Sequence, residues 1–179
     1  HIQDHKPLNT HYTMPVAETA STFNENVIMS AAIDQATGEE KLALIESQLQ
    51  DFTQTICDIY SRFVFENTVF NKTKDEFLFP DQLKVIMTDA QIKAYGEGLD
   101  PEYRHPFMWT CKGHYYSEHL SYYNFPYAFG ALFSKGLYAM YRKEGESFVP
   151  KYQELLKATT ICDVEDVAKM VGADITKPD

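Results

Sequence analysis

Two stretches of this sequence concentrate side chains able to do chemistry. The first is Pro15-Val-Ala-Glu18-Thr-Ala-Ser-Thr-Phe-Asn-Glu25-Asn. Glu18 and Glu25 are seven residues apart, so on a helix they fall two turns apart on one face, with Ser21, Thr22 and Asn24 on or near the same stripe. A carboxylate of such a row can ligate a hard or borderline cation such as Zn²⁺, the small neighbours letting the helix approach the ion. The plainer reading of the same spacing is that Glu18 complements the positive end of the helix and Glu25 is solvated.

The second stretch is Lys112-Gly-His114-Tyr-Tyr-Ser-Glu-His119-Leu-Ser-Tyr-Tyr123-Asn-Phe-Pro-Tyr127-Ala-Phe-Gly130. Five of the twelve tyrosines fall between 115 and 127 beside two of the six histidines, so their polar ends need partners wherever the rings are buried. One arrangement that meets the need is an aromatic core whose hydroxyls bond backbone carbonyls. The other is a substrate cleft in which a histidine and a phenol donate hydrogen bonds to a developing oxyanion. His5, His11 and His105 sit among prolines and polar residues, and most of them are expected to be solvated.

The elements that must carry these residues read as helices. Residues 1–15 have no periodicity and predict an irregular leading segment. Phe23, Val27, Ile28 and Ala31 recur at spacings of three to four and predict a helix from about Val16 to Ile33. After a break at Gln35 to Gly38, Ile45, Leu49, Phe52, Ile56, Ile59, Tyr60 and Phe63 step by four and three, the clearest periodicity in the chain. A helix capped by Asp81 after Pro80 is expected to run to Gly96, another to begin near Pro126, and shorter ones to cover 146–158 and 163–171, the last between Asp163 and Gly172. Phe63 to Phe70 is the one run that reads as either helix or strand. The fold class is therefore all-α.

Composition narrows the functions available to such a fold. Sixteen basic against 26 acidic residues give a net charge of −10, the wrong sign for a phosphate backbone, so nucleic acid is not an expected partner. No run approaches the ~20 apolar residues that span a bilayer, so a membrane is not expected either. Cys57, Cys111 and Cys162 are odd in number and far apart, which points to buried thiols in a reducing, cytoplasmic setting.

The string Pro-Leu-Asn-Thr-His-Tyr-Thr-Met-Pro-Val-Ala-Glu18-Thr-Ala-Ser-Thr-Phe-Asn-Glu25, followed by Gly-His114-Tyr-Tyr and Tyr-Tyr123-Asn-Phe-Pro-Tyr127-Ala-Phe-Gly130, closely resembles the C-terminal part of oligoendopeptidase F. That family belongs with the zinc metallopeptidases that include thimet oligopeptidase. The resemblance covers essentially the whole chain. It implies hydrolysis of short peptides by a zinc-activated water, in an enzyme whose His-Glu-x-x-His helix supplies two ligands and the general base. Glu18 matches the family's third zinc ligand, and Glu25 an acid on the same helix that orients a ligating histidine through its other ring nitrogen. His114, Tyr123 and Tyr127 match the residues that hold the substrate and stabilise the oxyanion, with His119 a competing choice for the histidine.

One departure qualifies the match. The histidines stand at 1, 5, 11, 105, 114 and 119, and no His-Glu-x-x-His occurs. The resemblance then implies that the metal helix precedes His1. Residues 1–179 would be a single helical domain, the C-terminal part of the catalytic domain, truncated at its start and beyond Asp179 as well, and forming one wall of a deep substrate channel. Expected consequences are little or no bound zinc, no peptidase activity from the 179 residues alone, and self-association through the apolar face that the missing helix would cover. The alternatives from other classes are a non-catalytic helical module that binds peptides and a purely structural helical lobe.

Overall fold

Proline and glycine punctuate the helices where their backbones require it. A computed structural model of the chain describes residues 1–2 and 5–177. The fold is all-α, and among these residues there is no strand. The α-helices are α1 Thr19–Gln35, α2 Gly38–Thr53, α3 Ile59–Lys72, α4 Pro80–Tyr95, α5 Phe125–Glu144, α6 Phe148–Ala158 and α7 Val164–Lys169. None of them is long and apolar enough to cross a membrane.

Several boundaries differ from those read in the sequence. Pro15 lies in a short 3₁₀ turn, Met14–Val16, so α1 begins at Thr19 and Glu18 takes the N-cap position. A second 3₁₀ turn, Pro7–Asn9, interrupts the leading segment that was expected to be irregular. In α4 the fixed φ of Pro80 starts the helix a residue early. The cap is thus Phe79, whose N–H donates to the Gln82 side chain at 2.9 Å. Asp81 lies inside the first turn, 2.8 Å from Lys84. Gly96 closes α4 at φ 56°, a conformation that disfavours residues with a Cβ. The ambiguous run from Phe63 lies within α3, where Ser61, Arg62, Phe65 and Glu66 are buried at helical spacing, and this overrides the local strand preference of its Phe and Val residues.

The long periodic stretch is helical but not regular. Between α2 and α3 lies a π-helical segment, Gln54–Asp58, whose extra residue per turn shifts the faces on either side. The apolar stripe is also largely exposed: Ile45, Leu49, Tyr60 and Phe63 face solvent, and no residue of α2 is buried.

The chain divides into two compact units, His1–Gln48 with Phe129–Asp179, and Leu49–Ala128. The core of the first gathers Phe23 of α1, Phe133 and Leu137 of α5, Phe148 and Leu155 of α6 and Val167 of α7. Phe148 and Leu155 are wholly buried, each stabilising the unit by about 1.5–3 kcal/mol relative to exposure. The core of the second unit gathers Phe65 of α3, Leu78, and Ile86, Met87 and Ala90 of α4. Of the histidines expected to be solvated, His11 and His105 are exposed, but His5 is half-buried with its ring 3.2 Å from the Thr160 hydroxyl. All three thiols are free. Cys111 is exposed and the other two only half-buried, which corrects the expectation of buried thiols: Cys111 sits in an exposed 3₁₀ turn, its Sγ 3.1 Å from the Met108 carbonyl oxygen.

Candidate functional site

The second unit contains a pocket of about 400 Å³, lined by the π-helical segment, the start of α3, the Cys111–His114 turn and the residues entering α5. Its polar lining includes a chain of side chains that begins where the π-helical segment meets α3. Asp58 and Arg62, four residues apart on the helix and about nine-tenths buried, form an ion pair. Arg62 Nη1 also donates to Asn124 Oδ1 at 2.8 Å, and Asn124 Nδ2 lies 2.6 Å from His114 Nε2. The Tyr123 and Tyr127 hydroxyls lie 3.2 Å apart with their rings edge to face, and the His114 ring centroid is 5.8 Å from that of Tyr123. Burial, and then the positive charges of Arg62 and Lys112, hold the His114 pKa below its ordinary 6.5. Burial is also the largest cause that pushes the Tyr95 hydroxyl up to about 12, with the Asp58 charge adding to it.

The loop that delivers Tyr123 and Asn124 is itself held in an unusual conformation. Tyr122 has φ 56°, in the left-handed region that costs a residue with a Cβ about 1–2 kcal/mol. Its backbone N–H donates to Glu66 Oε1 at 2.7 Å, its hydroxyl donates to Asn67 Oδ1 at 3.1 Å, and its ring packs on Phe63 and Phe70. Burial raises the Glu66 pKa above 4.5, and the Tyr122 N–H partly offsets this. The tyrosines of this segment divide between a core and a pocket. Tyr115 packs on Phe65 in the core, where burial pushes its hydroxyl far above the usual range, whereas Tyr123 and Tyr127 line the pocket.

Glu18 belongs to the first unit, where it is half-buried at the start of α1. Its Oε2 accepts from the Ser21 hydroxyl at 2.9 Å, and its carbonyl accepts from the Thr22 N–H at 3.1 Å. The small residues after it serve a packing purpose. The Thr22 hydroxyl reaches the Gly130 carbonyl at 3.1 Å, Asn26 Nδ2 donates to the Ser134 hydroxyl at 3.0 Å, and Thr19 and Ser134 are wholly buried. A Cβ on Gly130 would lie 3.0 Å from Glu18 Cβ and 3.1 Å from its carbonyl carbon. Gly130→Ala is accordingly expected to destabilise the protein by about 1–3 kcal/mol, seen as a lower thermal midpoint, because backbone must move. Gly136→Ala on the same helix, where nothing lies within 4 Å of the added carbon, is the control and should be neutral or stabilising.

The structure thus groups His114, Tyr123 and Tyr127 in one pocket of the second unit, and places Glu18 and Glu25 on the first. Glu25 is exposed on α1. His119 is outside the pocket, its side chain 84% exposed and 3.1 Å from the exposed Glu118. Among the described residues no three His, Cys, Asp or Glu side chains converge as a metal requires. Sequence reasoning passed over Asp58, Arg62, Asn124 and Gly130. The four-residue step from Asp58 to Arg62 inside an apolar stripe was a usable signal for a buried pair. Nothing local marked their link to Asn124.

The chain is similar to Oligopeptidase PepF of Bacillus subtilis (strain 168), with 29% identity over 170 residues covering 94% of this chain. It spans 25% of the length of that protein. No protein-family model matches it, and no solved structure does.

Proposed function

We propose that this chain is the substrate-holding, helical C-terminal part of a zinc-dependent endopeptidase that cleaves short peptides, acting within a longer polypeptide. The observation that carries the reading is the grouping of His114, Tyr123 and Tyr127 around one pocket, in a chain similar along nearly all its length to an oligopeptidase. Glu18 is suited to be one carboxylate ligand of the zinc. Alone it does not make a site, because a catalytic zinc takes three protein ligands and the described residues bring no such set together. The remaining ligands and the general base belong, in this reading, to a His-Glu-x-x-His segment outside these residues.

What the chain's own residues do follows from their donors. A phenol O–H and an imidazole N–H at the pocket can bind a peptide carbonyl, and they bind more strongly once its oxygen becomes an anion, which is the condition for lowering a barrier. Exposed Leu49, Tyr60 and Phe63 support a face that is covered by more of the polypeptide in the intact protein, or by a second copy when it is absent.

The test compares two proteins with quenched fluorescent peptides and added zinc: the 179-residue chain, and the same chain extended upstream by its own coding sequence. The short chain is expected to give no turnover. The long one is expected to cleave peptides in a manner abolished by a chelator and restored by zinc. Turnover by the short chain near that of the long one, or peptide binding without cleavage and indifferent to chelator in the long one, would overturn the reading.

A further inference from the structure

The amide of Asn124 decides the chemical state of His114. Asn124 is 3% exposed and lies between two partners, so its orientation is set by the less adaptable one. That partner is Arg62: a guanidinium stays protonated, has donors and no acceptor, and therefore requires the oxygen end of the amide, 2.8 Å from Nη1. Asp58, four residues before Arg62 at the end of the π-helical segment, pairs with the guanidinium and keeps it in place. The nitrogen end of the amide then faces His114 Nε2 at 2.6 Å. An NH₂ group can only donate here, so Nε2 must offer its lone pair, and the single ring proton sits on Nδ1. An imidazolium, or the opposite tautomer, would place N–H against N–H.

We infer that Asn124, oriented by Arg62, is a positioning residue that fixes His114 as a neutral imidazole with its proton on Nδ1, so that the ring meets a ligand as an uncharged donor through Nδ1–H. The role toward a peptide oxyanion rests on the function proposed above; the tautomer does not. The charged and titratable groups around the ring agree with it. Arg62 on α3 and Lys112 on the preceding turn are cations that oppose a second ring proton, and Asp58, the one carboxylate among the described residues lining the pocket, is engaged by Arg62; the Tyr115 and Tyr123 rings pack against the imidazole, and Cys111 also lines the pocket. A histidine so held cannot accept a proton at Nε2 without breaking the bond to Asn124. It serves as a donor, not as a general base, at neutral pH.

The test is ¹⁵N NMR of the histidine rings in the 179-residue chain. His114 is expected to show a protonated Nδ1 and an unprotonated Nε2 at neutral pH, and to keep that pattern as the pH falls through 6.5, the value at which an ordinary imidazole is half protonated. Asn124→Asp substitutes an acceptor for the donor. It should move the proton to Nε2 and raise the titration midpoint by about one unit or more, a tenfold change in proton affinity. Asn124→Ala should release the ring to a mixture of tautomers. A purely structural role for Asn124 would change stability and leave the tautomer alone. Wild-type His114 protonated at Nε2 near pH 7, or titrating at or above 6.5, would overturn the inference even if neither variant folds. The expected tautomer together with no peptide cleavage by the extended chain would instead count against the peptidase reading alone.

Discussion

On the proposed function, one of Tyr127→Phe and Tyr123→Phe in the upstream-extended chain is expected to lower kcat by about a hundred- to a thousandfold while changing KM little, the typical effect of deleting one oxyanion donor. The reason is the pairing of two phenols. The Tyr123 and Tyr127 oxygens are 3.2 Å apart, so one hydroxyl donates to the other and the donor of that bond has no second proton to offer a ligand. Removing the outward donor deletes the interaction. Removing the inward one frees its partner to rotate, and a smaller loss follows from poorer orientation. Comparing Tyr127→Phe with Tyr123→Phe therefore identifies the outward donor. Tyr116→Phe, at an exposed position, should leave turnover unchanged. Turnover retained in both pocket variants would remove the phenols from the chemistry.

Arg62→Met should destabilise the second unit by about 3–5 kcal/mol, measured by urea unfolding of the 179-residue chain. Arg62 and Asp58 are side chains with relative exposures of 10% and 7%, and removing the guanidinium leaves a buried carboxylate without its counter-ion. The same substitution takes away the donor to Asn124 Oδ1, a second buried group. The double variant Asp58→Asn with Arg62→Met should recover much of the loss, because the larger part of it is an uncompensated charge. A loss below about 1 kcal/mol in the single variant would show that water reaches the pair and that Arg62 does not hold the floor of the pocket.

How the elements were legible, and where they were not, follows from the range of the forces involved. The helix near Pro80, its end at Gly96 and the start of α5 around Pro126 come from residues whose backbone limits act within one turn, and they appear where the sequence placed them to within a residue or two. Asp81 was misread because Asp is a good cap in isolation, whereas Pro80 had already fixed the first helical residue. The regular stripe from Ile45 to Phe63 concealed the π-helical segment, since periodicity records apolar spacing and not the hydrogen-bond register of the backbone. His114 was the matched histidine of the tyrosine motif and His119 its competitor. In the structure His114 lies in the pocket beside the Asn124 amide, whereas His119 is exposed outside it.

The sequence alone determined the all-α class, the helix order and the acidic net charge, because each depends on residue type and, for the helices, on spacings of three or four positions. Tertiary structure decided which polar groups became buried partners. Arg62 meets Asn124 from 62 residues away, and Thr22 and Gly130 touch across 108. A side chain's state when buried is set by the donor or acceptor placed opposite it, and that neighbour is specified only when the chain has folded back on itself.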